Sequence, residues 1–119
     1  MKKFLKVFLI AMLFLNANVF AQELPFDITN ATGVDLLYIQ VSESNDSNWG
    51  PDIIPDDIFY DGDTFKVSLP IYENTICAHD MKVTDFEEEY VILTGADLCE
   101  LYEITLLFDD NGQLTWYLE

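Results

Sequence analysis

The chain has 119 residues, half of them hydrophobic, with 22 Asp and Glu against 5 Lys and no Arg. That length holds one small domain, and the aromatic and aliphatic content excludes a disordered chain. A net charge of −17 excludes a nucleic-acid binder and a protein drawn to anionic membrane.

The N-terminus reads as a secretory signal over residues 1–21. Lys2, Lys3 and Lys6 form a positive start, Val7 to Leu15 an apolar run, and Val19 and Ala21 the small residues before a cut ahead of Gln22. A membrane span needs about 20 apolar residues, and this run breaks at Asn16 and Asn18. The expectation is export to the periplasm or the medium, with no membrane contact after cleavage. Removal of the leader leaves residues 22–119, 98 residues carrying all 22 acids and only Lys66 and Lys82, a net charge of −20. Such a surface keeps a secreted protein soluble, and it attracts a basic protein or a divalent cation.

From Pro25 onward short apolar alternations are separated by turn chemistry. Pro25 to Asn30 is the first, with Phe26 and Ile28 on one side, and Asn30 to Gly33 is a turn. Asp35 to Glu43 is the longest run. Leu36 and Tyr38 share one face and Leu37, Ile39 and Val41 the other, so the strand reads as central in its sheet. Ser44 to Asp57 is a loop by composition. Thr64 to Leu69 alternates with Phe65, Val67 and Leu69 inward, and Pro70 ends it. Cys77 to Asp85 places Cys77, His79, Met81 and Val83 on one face, and Glu89 to Thr94 is the return strand. Asp97 to Leu101 reads as one helical turn. Tyr102 to Phe108 and Gln113 to Leu118 flank Asn111-Gly112, the strongest hairpin signal, expected as a type I′ turn. Seven short runs without a helical period predict an all-β antiparallel sandwich, with a partly open barrel as the alternative.

Cys77 and Cys99 form an even pair in an exported chain, so they are expected to be joined. The loop 43–52 concentrates oxygen donors: Asp46, Asn48 and Asp52, with Glu43 and Asn45 beside them. Calcium takes six to eight such oxygens, and weak extracellular sites are common. The EF-hand spacing is not met, and the same residues build turns without metal, which is the preferred reading. Calcium at Asp46, Asn48 and Asp52 stays the alternative, and no other cofactor is expected. Trp49 inside this loop is either a ligand platform for a sugar or peptide or, as preferred, a cap on one end of the core.

No catalytic constellation stands out. His79 is the only histidine, no G-x-S-x-G turn exists, and 22 acids in so short a chain yield adjacent pairs by chance. The expected role is non-catalytic, binding or structural. An acidic inhibitor or immunity-type partner of a basic exported enzyme is a further alternative, resting on the charge.

Three segments share an order. Asn30-Ala-Thr32-Gly33 leads into a strand ending Val41-Ser42-Glu-Ser44, Trp49-Gly50-Pro-Asp52 follows, and Asp97-Leu98-Cys99 closes it. This N-x-T-G, V-S-x-S, W-G-x-D, D-L-C order resembles a group of small exported bacterial β-domain proteins of uncharacterised function. The resemblance implies a compact β domain and carries over no enzyme activity. The strand after Cys77 departs from the group's Arg-bearing strand, with Lys82 as its one base.

Overall fold

Burial along the first strand follows the alternation of its sequence. In β1 (Glu23–Asn30), Leu24, Phe26, Ile28 and Asn30 are buried while the residues between them face outward. That is the period of a strand covered on one face. The computed structural model describes residues 23–119, so the expected leader lies outside the described residues. Six further strands follow: β2 (Leu36–Glu43), β3 (Thr64–Pro70), β4 (Ala78–Asp85), β5 (Tyr90–Asp97), β6 (Glu103–Phe108) and β7 (Leu114–Leu118). They form a four-stranded sheet, β3-β1-β6-β7, and a three-stranded sheet, β2-β4-β5. The two pack face to face as a small β-sandwich, and neither closes into a barrel. Among the described residues no helix is long and apolar enough to cross a membrane.

The core lies between the sheets. Ile28, Ile104 and Leu106 of one sheet and Ile39, Met81 and Val83 of the other are buried, with Phe59 of the intervening loop also enclosed. All neighbours pair antiparallel except β1 and β6, which run parallel with Ile28 opposite Ile104. The first described strand is therefore central in a sheet whose other half comes from the last two. Asn30 is fully buried at the end of β1. Its amide nitrogen donates to the carbonyls of Val34 and Phe59, each at 2.9 Å, and its Oδ1 accepts from the backbone N–H and hydroxyl of Thr32. A buried amide costs stability unless it is bonded in this way, and here it fixes the Asn30–Gly33 turn.

Three local expectations are corrected. β2 is an edge strand, not a central one. A register irregularity between Leu36 and Tyr38 re-aims the chain, so Leu36 and Ile39 both face the core; the apparent apolar second face is this bulge read as unbroken alternation. Asn111 does not take positive φ, so the last hairpin is not type I′. Gly112 N–H donates to Asp109 carbonyl and Asp109 N–H to Gln113 carbonyl, with Gly112 at φ 79°, a type I turn followed by a left-handed residue. The β4–β5 hairpin repeats this geometry at Asp85–Glu89, with Glu88 in the left-handed position at φ 64°. Finally, β5 runs on to Asp97 and residues 98–100 are a turn, not a helical turn. Asp97 Oδ1 accepts the Cys99 N–H and thereby directs that turn.

Cys77 and Cys99 are joined as expected, with Cα atoms 5.3 Å apart. They sit just before β4 and just after β5, so the bridge ties the open end of that hairpin. Closing a loop of this length contributes about 3 kcal/mol in the chain-entropy account. Both cysteines are exposed, so reductant reaches them. Reduction, or Cys77→Ser with Cys99→Ser, is expected to lower stability by about 2–4 kcal/mol, a fall in Tm of roughly 10–30 °C. Melting followed by circular dichroism with and without dithiothreitol measures it. Superimposable curves would contradict a stabilising bridge.

Candidate functional site

The outer face of the three-stranded sheet is assembled by one loop carboxylate and a cross-strand register. Ile39 sits on the free edge of β2, and its N–H donates to Asp52 Oδ1 at 3.0 Å; the same oxygen takes the Ile54 N–H at 3.1 Å. Backbone bonds continue the attachment on either side, from Gly50 N–H to Val41 carbonyl and from Ile53 N–H to Ile39 carbonyl. Leu36 and Phe59 exchange both of their backbone bonds. The loop after β2 therefore lies along the β2 edge as an irregular extra strand and covers its free backbone groups.

That docking brings Trp49 to the outer face. Directly opposed residues of neighbouring strands share a face, so Tyr38, Thr84 and Tyr90 make one outward row and Gln40, Lys82 and Ile92 the next. Gln40 also donates its side-chain amide to the Gly50 carbonyl, fixing the loop beside this row. The Lys82 ammonium lies 4.3 Å from the Tyr90 ring centroid and 5.9 Å from that of Trp49. Both distances fall within cation–π range. A shallow depression of about 320 Å³ runs between Tyr38, Gln40, Lys82, Thr84, Glu88 and Tyr90. The face thus offers three aromatic rings, one ammonium and one carboxylate. It can stack on a flat, ring-bearing ligand and hydrogen-bond to its rim. Trp49 is half-buried and lies outside the set of side chains that pack against the core, so the capping expectation does not hold.

The residues proposed for calcium are divided by the fold. Asp46 and Asn48 line a cleft of about 320 Å³ that Ser42, Glu43 and His79 also border, whereas Asp52 faces the β2 backbone. Asp46 Oδ1 accepts the Asn48 N–H at 3.1 Å, a turn-building bond. Asp85, Glu87 and Glu89 bring carboxylates close together, but Asp85 Oδ1 already accepts two N–H groups, those of Glu87 and Glu89. His79 is 6 % exposed, and its Nδ1 lies 2.9 Å from the Cys77 carbonyl. The carboxyl of Glu103 is raised from its ordinary value, chiefly by its hydrogen bond to Glu119, then by desolvation and by the charges of Glu119 and Asp27. It belongs to the opposite sheet, away from the aromatic face.

Sequence reading singled out Trp49 but not Tyr38, Lys82 or Tyr90. Alternation puts Lys82 on the outward face of its strand; only the pairing of three strands shows that Tyr38 and Tyr90 flank it. No protein family, curated protein or solved structure matches the chain.

Asp52→Ala removes the acceptor of two backbone N–H groups, one of them on a fully buried residue. The expected loss is about 1–3 kcal/mol, equal in EDTA and in millimolar calcium. A calcium-dependent rise in Tm of the native protein that vanishes in this variant would instead make Asp52 a metal ligand.

Proposed function

We propose that this chain is an exported, non-catalytic binding domain whose outer β2-β4-β5 face takes a saccharide. The observation that carries the reading is the juxtaposition of Trp49, Tyr90 and Tyr38 around Lys82 on a solvent-facing sheet. Tyr38 is 44 % exposed and Tyr90 56 %, large values for aromatic side chains grouped on one face. Exposed apolar groups gathered in this manner mark binding surfaces. A pyranose ring presents C–H bonds on its faces and hydroxyls on its rim. Aromatic rings stack on the first, while Lys82 and Glu88 supply a donor and an acceptor to the second. Export is supported by the signal-like N-terminus and by the disulfide, which persists in oxidising compartments. A non-catalytic role is supported by the near-complete burial of His79 and its contact with the Cys77 carbonyl, and by the use of Asp46, Asp52 and Asp85 as backbone acceptors.

A glycan array followed by calorimetry on the hits tests this. Trp49→Ala and Tyr90→Ala are each expected to weaken binding by about 2 kcal/mol, roughly thirtyfold in Kd, with the glycan recovered intact. An array without hits, variants that bind as well as the native protein, or cleavage of a bound glycan would each contradict the proposal.

A further inference from the structure

Among the described residues four strands form the edges of the two sheets, and three of them are treated differently from the fourth. β2 is covered by its own loop. β3 carries Lys66, whose side chain is 89 % exposed, and ends in Pro70. Charge and proline are two of the means by which edges are kept from pairing. β7 is short, with five residues. β5 has eight, and its run Tyr90-Val-Ile-Leu-Thr94 contains neither charge nor proline.

Among the described residues the backbone of this run pairs with β4 alone. Asp85 N–H donates to Glu89 carbonyl, so the alternation of an antiparallel ladder gives the β4 bonds to Val91 and Leu93. The N–H and C=O groups of Tyr90 and Ile92 then point away from the sheet. The core is also unsealed here. Val91 lies opposite buried Val83 and faces inward, yet it is 41 % exposed. Across from it stands β7, the strand that β5 approaches between the sheets. Between them is a cavity of about 160 Å³ lined by Val34, Leu36, Val91, Phe108 and Leu114 among others. A strand added beside β5 would satisfy the outward backbone groups and lay alternate side chains over this gap.

Charge selects the occupant. Asp85 and Glu87–Glu89 lie at one end of the run and Asp97 and Glu100 at the other. A second copy is disfavoured: antiparallel pairing centred on Ile92 sets Glu87 of each copy opposite Asp97 of the other, and each chain carries −20 over residues 22–119. We propose that β5 accepts, by strand addition, an extended segment of a basic partner protein, apolar in its middle and flanked by Lys or Arg. This surface is independent of the saccharide reading, although Tyr90 contributes its ring to one and its backbone to the other.

The probe is a synthetic peptide, Lys-Lys-Thr-Val-Thr-Val-Thr-Val-Lys-Lys, compared with the same core flanked by Glu and with a backbone N-methylated version. Titrations into the purified protein are read by calorimetry and amide hydrogen exchange. The expected result is binding of the Lys-flanked peptide, roughly tenfold or more tighter than the Glu-flanked one. Binding brings new protection of the Tyr90 and Ile92 amides and is lost on N-methylation. Ile92→Pro removes an outward N–H without touching the β4 ladder, a position where edge strands tolerate proline. It is expected to abolish peptide binding with the fold intact by circular dichroism. No binding at about 1 mM peptide, equal binding of the Glu-flanked or N-methylated peptide, or full binding by Ile92→Pro would overturn the proposal. So would a dimer in sedimentation that pairs through the Tyr90 and Ile92 amides.

Discussion

One carboxylate oxygen organises the three-stranded half of this molecule. Asp52 Oδ1 takes the N–H of Ile39, on the free edge of β2, and the N–H of Ile54 in the loop. A hydrogen bond to a charged acceptor contributes about 1.5–3 kcal/mol, and here two donors meet at one atom. The attachment turns a 20-residue connection between β2 and β3, residues 44–63, into a cover for an edge strand. It also holds Trp49 against the face where Lys82 and Tyr90 stand. Edge protection and site assembly are therefore one event, and the group responsible is the acid that would otherwise be counted as a calcium ligand.

Much of the acidity has the same character. Asp46, Asp85, Asp97 and Asp109 each accept a backbone N–H two residues on, and Asp85 and Asp109 accept a second, four residues on. The two hairpins built on Asp85 and Asp109 share one geometry, but one places Gly112 and the other Glu88 in the left-handed position. A non-glycine residue there costs about 1–2 kcal/mol. The Asp85 side chain, bonded on both sides of Glu88, offsets part of that cost. Clustered acids in this chain thus shape turns as well as setting the net charge.

The strands were legible because alternation and turn residues are local signals: seven were expected and seven are present among the described residues. The Cys77–Cys99 bridge followed from the expected compartment and the even count. What failed depended on single residues or on distance. The bulge between Leu36 and Tyr38 is invisible to a pattern that assumes unbroken alternation, so β2 looked central. Asn111-Gly112 marked a hairpin correctly, but the turn type depends on loop length, which the neighbouring Asp110 changes. Trp49 was visible as a loop aromatic, yet its partners lie 33 and 41 residues away, at Lys82 and Tyr90, and only sheet register brings them together. The open β5 edge was equally hidden, since no local feature says which strand will lack a neighbour.

Two surfaces follow from this arrangement, an aromatic face and an unpaired edge, and they meet at Tyr90. The aromatic face presupposes that the loop is docked and Trp49 is held beside Lys82. Proton NMR of the native protein tests that directly. The account predicts nuclear Overhauser contacts between the Trp49 indole and the Lys82 methylenes, with those methylene signals shifted upfield by the rings around them. Random-coil shifts for Lys82, without contacts to Trp49, would contradict it.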